Sequence, residues 1–216
     1  MLRITVIGGT GYAGAAVVSQ AAQRGDQVRS VSRQAPAPAS QLSGVAYMTG
    51  SVTEPVFLEL VSAESDVVIS ALSPRGAMAG QVRPVNKRLI SLSDRLGFGL
   101  GVILGGGSLL TAPGGPRLVD LPQFPAPVKA EALEMAGVLE DLEASPAGVD
   151  WFGISPASGF GAFAPGPTLG HYRTGTNVVL ADQNGNSYIS AGDLALAVLD
   201  EVHHPGHRRE RFTVAY

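Results

Sequence analysis

Along this chain the apolar positions fall into two alternating textures. Short, mostly apolar runs read as strands at Leu2–Ile7, Gln27–Ser32, Val45–Thr49, Asp66–Leu72, Gly101–Leu104, Asp150–Ser155 and Arg211–Ala215. Longer segments with helical spacing separate them: Gly11–Arg24, Glu54–Ser62, Gln81–Leu96, Val128–Leu142 and Ala191–Val202. Local punctuation supports the boundaries. Gly25 and Gly97 stand where helices end, and Thr53 is placed to cap the second helix with Pro55 in its first turn. Ser190 and Asp193 are spaced as a capping box, which gives Asp193 a structural role. Pro36 and Pro38 make Gln34–Ser40 a loop, and Asn177–Leu180 is strand-like.

Strands that alternate with helices build a parallel sheet covered on both faces. The run Asp66–Leu72 is apolar almost throughout, as a central parallel strand should be. The predicted fold class is therefore α/β, a single Rossmann-type doubly wound, mainly parallel sheet, with residues 1–216 as one domain. Two Gly/Pro-rich stretches, about 108–127 and 156–176, follow predicted strands. Both should lie at the carboxyl edge of the sheet, where open α/β folds bind ligands.

The turn after the first strand sharpens this picture. Gly8-Gly9-Thr10-Gly11-Tyr12-Ala13-Gly14 links a strand to a helix, and a diphosphate can approach backbone N–H groups there only if side chains are absent at Gly8 and Gly11. Thr10, Tyr12 and Ala13 complete the expected cradle, and Gly14 lets helix and strand pack closely. At the end of the second strand, where an acidic residue would bind the ribose of NAD, stand Ser32 and Arg33. A guanidinium there pairs with a 2′-phosphate, so the sequence favours NADP(H) over NAD(H). The other reading of Arg33 is a solvated surface side chain. Ser51, after the third strand, is placed for the adenine.

Composition narrows the class. Hydrophobic residues make up 45% and charged residues 15% of the 216, against about 25% charged in average proteins, so a core is amply supplied. There is no cysteine, hence no thiolate chemistry and no disulfide, which fits a reducing, cytoplasmic setting. No apolar run reaches the ~20 residues of a membrane helix, and no signal-peptide pattern opens the chain. The net charge of −3 argues against nucleic acid as a partner.

The stretches GGTGYAG, DVVISAL, GGGSL, RLVDLPQFP and HRRERFTVAY together resemble the atypical short-chain dehydrogenase/reductases. More narrowly, they resemble the NAD(P)H-binding group that includes NmrA-like, flavin-reductase-like and biliverdin-reductase-B-like proteins, over essentially the whole chain. The resemblance implies a nicotinamide cofactor with an electron acceptor beside the C-terminal loops. It also exposes a departure. Most of the superfamily uses a Tyr-x-x-x-Lys pair as general acid, and none of Tyr12, Tyr47, Tyr172, Tyr188 and Tyr216 has a lysine four residues later. Lys129 begins the helix that would carry the pair, preceded by Val128 where similar sequences often have tyrosine. Reduction of a flavin tolerates this loss, because the acceptor's own electronics carry the chemistry.

At the reacting end, Ser108 falls near the superfamily's active-site serine and could bond an acceptor carbonyl, or simply stabilise a turn. Lys129 could reach a ribose or phosphate, or stand exposed. Ala71, Leu72 and Ser73, Gly106, and Ser155 with Pro156 should run their backbones along the cofactor. Phe160 and Phe163 could wall a flat ring, and His171 or Tyr172 could donate a proton. His203, His204 and His207 lie among Arg208 and Arg209, a poor setting for a metal. The expected function is reduction of a small planar acceptor by NADPH, with flavin as substrate rather than tightly bound cofactor, in a monomer or homodimer. The alternative is a non-catalytic NADP(H)-binding sensor.

Overall fold

A computed structural model describes residues 1–216. It contains β1 (Arg3–Ile7), α1 (Tyr12–Gln23), β2 (Gln27–Ser32), β3 (Val45–Thr49), α2 (Pro55–Ser62), β4 (Val67–Ser70) and α3 (Val82–Leu96). These are followed by β5 (Gly99–Ile103), α4 (Ala126–Glu143), β6 (Trp151–Pro156), β7 (Arg173–Gly175), α5 (Ala191–His203) and β8 (Glu210–Ala215). The strands form one sheet in the order β3-β2-β1-β4-β5-β6-β8-β7. Every pairing is parallel except β7 on β8. β1 sits between β2 and β4, with Ile7 opposite both Val31 and Ser70. The chain therefore leaves β1 in one direction and returns to its other side at β4. That reversal opens a crevice at the carboxyl edge.

Successive side chains of a strand face opposite ways, so each strand feeds two cores. In and just after β5, Leu100, Val102 and Leu104 join the layer built with α2, α3 and α4, whereas Ile103 joins the layer under α1 and α5. α1 contributes Val17, Val18 and Ala21 to the second layer, and α5 contributes Leu194, Val198 and Leu199, all buried. α1 is thereby fixed to the sheet by buried aliphatic packing.

Several local expectations need correction. Thr53 does not cap α2: Glu54 occupies the cap position without a side-chain bond, and the Thr53 hydroxyl lies 2.7 Å from the Ser51 hydroxyl instead. Asn177–Leu180 forms no strand. It is tied to Leu110 by backbone bonds and one bridge, and the antiparallel edge strand is the shorter Arg173–Gly175. β4 ends at Ser70, because Ala71–Ser73 leave the sheet to line the crevice. Gly97 does close α3, at φ 79°, with its N–H on the Ser93 carbonyl. The other end of α3 is satisfied from a distance: the Glu134 carboxylate of α4 accepts from the N–H groups of Gly80, Val82 and Arg83 at 2.7, 2.8 and 3.0 Å. No helix is long and apolar enough to cross a membrane.

Candidate cofactor and acceptor site

A cleft of about 1140 Å³ runs along the carboxyl edge of the sheet. Its floor is the turn after β1. Gly8 has φ +83°, and a Cβ there would stand 2.8 Å from the Ala71 carbonyl oxygen, so the ends of β1 and β4 can meet only over glycine. The Gly11 N–H donates to the Gly8 carbonyl at 2.9 Å and closes the turn. Gly11 is also the N-cap of α1 and offers no capping side chain. The N–H groups of Tyr12, Ala13 and Gly14 consequently have no backbone acceptor. Unpaired donors at a helix start, with the positive end of the helix dipole behind them, are a cradle for a diphosphate. Gly14 lies behind the turn, where a Cβ would run into the Gly8 carbonyl.

One half of the cleft is polar and glycine-rich. Gly8, Thr10, Gly11, Tyr12 and Ala13 line it with Ser32, Arg33 and Ser51, and Ala71, Leu72 and Ser73 continue the wall. Arg33 is exposed and makes no ion pair. Glu131 is the only carboxylate among the lining residues, and it belongs to the opposite wall. The other half is apolar: Leu104, Phe124, Val128, Met135, Phe160 and Phe163 surround Gly106 and Pro156. Phe160 packs on Tyr12 with ring centroids 5.3 Å apart, while Phe163 stands 74% exposed at the rim.

Five nominated residues do not reach this cleft. Ser108 is buried on the far side of its turn: Gly106 and Gly107 face the cleft, but the Ser108 hydroxyl faces a separate hollow of about 240 Å³ and accepts from Arg211 at 3.2 Å. Ser155 is fully buried in β6 and accepts from the same guanidinium at 3.4 Å. Burial pushes the Arg211 pKa down, and the two serines are among the few polar groups that solvate it. Lys129 is exposed on α4; the residues that face the cleft are Val128, Glu131, Ala132 and Met135, a spacing of three to four that turns position 129 aside. His171 is exposed near Tyr216, with ring centroids 5.8 Å apart, and its Nδ1 lies 3.4 Å from the Leu169 carbonyl. Tyr172 also points away, donating to Asp200 at 2.7 Å; burial first, and that carboxylate second, push its pKa well up, so it holds its proton near neutrality.

Sequence reasoning missed an ion pair. Arg75, in the loop after β4, donates from Nε to Glu131 Oε2 of α4 at 2.7 Å, and both residues line the cleft. The signal was present in part, since Glu131 lies one helical turn from Val128, but nothing in the sequence brings Arg75 opposite it. Two of the three clustered histidines are occupied: His203 Nε2 is 2.8 Å from Asp26 and His207 Nδ1 is 2.7 Å from Glu201. No group of three or more His, Asp or Glu side chains is arranged for a metal.

A doubly wound sheet, a glycine turn with three free N–H groups and a cleft at the reversal of strand order define a Rossmann-type nucleotide-binding protein. The chain belongs to the NAD(P)H-binding family, whose model matches residues 8–205. It is 33% identical over 218 residues to YwnB of Bacillus subtilis, an uncharacterized protein, covering 99% of this chain and 98% of that one. Among solved structures, a Bacteroides thetaiotaomicron protein described as a "putative epimerase" is 30% identical with a TM-score of 0.87, over 100% of this chain and 97% of that one. A Streptococcus pneumoniae protein described as a "putative NADH-flavin reductase" is 26% identical with a TM-score of 0.84, over 100% and 99%.

Proposed function

We propose that this protein is an NADPH-dependent reductase of a flavin or similar planar acceptor. The observation that carries the reading is the division of the cleft: a phosphate cradle with Arg33 at one end, and at the other an apolar chamber with no Tyr–Lys pair and no free acid. The residues present fit a dinucleotide, because the N–H groups of Tyr12, Ala13 and Gly14 lack acceptors and Gly11, the residue before them, carries no side chain to cap them. When bound, NADPH supplies a hydride, and the acceptor takes that hydride together with a proton from water. Arg33 would select the 2′-phosphate through charge-assisted bonds, unopposed by any carboxylate on its side of the cleft. Ser32, whose hydroxyl donates to the Gln34 carbonyl at 2.7 Å, shapes the loop that presents it.

On the other side the chain's task is placement. Phe124, Val128, Met135 and Phe160 form walls against which two flat rings can be held face to face, and holding them so supplies much of the acceleration. The Streptococcus relative's description agrees with this chemistry; the Bacteroides relative's does not, and epimerisation needs a proton-moving group that the chamber lacks. The test is anaerobic oxidation of NADPH, and separately NADH, by purified protein with FMN, FAD or riboflavin. Saturable, protein-dependent oxidation with NADPH preferred is expected. Tight NADPH binding with no turnover on any flavin would replace this reading with the sensor.

A further inference from the structure

Resting on the reductase reading, we infer that the acceptor carries a phosphate, which Arg75 receives while Glu131 holds the guanidinium in place. The cofactor's own anionic groups are already provided for by the start of α1 and by Arg33. Arg75 is a further cation in the cleft, tied to Glu131 of α4, the helix whose Val128, Ala132 and Met135 line the apolar half. Only its Nε is engaged; neither terminal nitrogen has a hydrogen-bond partner. Its side chain is 59% exposed, and that of Glu131 is 24% exposed. The carboxylate thus grips one edge of the guanidinium and leaves the fork open to the cleft. A planar fork with free donors matches an oxyanion in two-point contact, which a lysine would not.

An ion pair of this exposure contributes little to stability, so folding alone gives weak reason to place it inside a binding cleft. A phosphate monoester carries close to two negative charges at neutral pH. It would displace water from the terminal nitrogens while Glu131 holds the guanidinium by its Nε edge. Arg75 is on this account a binding residue for the acceptor, and Glu131 a positioning residue.

FMN and riboflavin share the ring and differ by the phosphate, so the pair isolates the effect. With NADPH saturating and oxygen excluded, kcat/KM for FMN should exceed that for riboflavin at least tenfold. Arg75→Gln should bring the ratio to within threefold, and Arg75→Lys should keep part of it. Glu131→Gln should raise KM for FMN several-fold with kcat retained. Thermal unfolding of each variant checks that it folds; should Arg75→Gln fail to, the lysine variant carries the comparison. Equal rates on FMN and riboflavin in the unaltered protein would overturn the phosphate inference and leave the reductase reading intact. A rise in the NADPH Kd of Arg75→Gln as large as the rise in KM for FMN would also overturn it, assigning Arg75 to the cofactor. No turnover with either flavin would defeat both readings together.

Discussion

At the scale of single residues, the proposed cofactor choice rests on Arg33 and the placement of α1 on Gly14. Arg33 is unpaired, so removing it costs the protein no internal contact. Arg33→Ala should weaken NADPH binding by about 1.5–3 kcal/mol, the range for hydrogen bonds to charged groups, and leave NADH nearly unchanged. Fluorescence titration with both cofactors checks this, and equal losses would sink the assignment. Gly14 acts through space rather than conformation. Its Cβ would collide with the Gly8 carbonyl, and backbone cannot yield as a side-chain tip can. Gly14→Ala should lower stability by about 1–3 kcal/mol, as overpacking does, and also weaken both cofactors by shifting the start of α1. Urea unfolding and cofactor titration together would show it; an alanine variant of native stability would mean that the helix moves freely.

Elements are joined here by a few buried polar groups, of which Asp193 is the most connected. It is fully buried at the third position of α5, where its N–H donates to Ser190 Oγ at 3.0 Å, as the capping-box spacing implies. Its carboxylate does more than the sequence indicates. It accepts from the N–H groups of Leu169 and Gly170 at 2.7 and 2.8 Å and from the hydroxyls of Ser190 and Tyr216, and so pins the loop that carries Phe160 and Phe163. Burial alone would raise its pKa; the bonds from Tyr216, Leu169, Ser190 and Gly170 outweigh that and hold it below the usual 3.8. A folded pKa below the unfolded one gives stability that is complete above about pH 4 and fades as pH falls through the folded value. Asp193→Asn sets an amide N–H against one of the loop's N–H groups and should cost about 1.5–3 kcal/mol at pH 7. The gap between the two proteins should narrow by pH 3, since the other depressed carboxylates are common to both. Urea midpoints at the two pH values decide it. A constant gap would mean that Asp193 is not ionised when folded.

For the whole molecule, the chamber's chemistry sets a pH signature. Its one carboxylate, Glu131, is bound to Arg75, Tyr172 and His171 lie outside, and the Tyr12 hydroxyl, at the edge of the chamber, is turned to the Pro165 carbonyl at 3.4 Å. Catalysis without a protein acid should give a kcat/KM for the reductase reaction that varies less than threefold between pH 6 and 8.5. A bell-shaped profile would mean that a protein group, Tyr12 or Glu131 first, moves the proton.

The sequence by itself determined the strand and helix succession, because each element carries its own period and its own stop: β2 and β3 have the bounds the pattern predicts, and Gly97 closes α3 where a left-handed residue is needed. It also determined the glycine turn, since a strand, a bare turn and a helix are contiguous in the chain, and the position of Arg33 at the end of β2. What lies far apart in the chain was decided only by tertiary structure. A serine after a strand reads alike whether it faces a ligand or a buried arginine, and Ser108 and Ser155 face Arg211. Lys129 and Val128 are neighbours, yet the rotation of α4 about its axis, set by packing against α3, sends one to solvent and the other to the cleft. Arg75 meets Glu131, and Glu134 caps α3, across more than fifty residues of chain. No local period records such meetings; they arise when the buried faces of two helices choose their angle on the sheet.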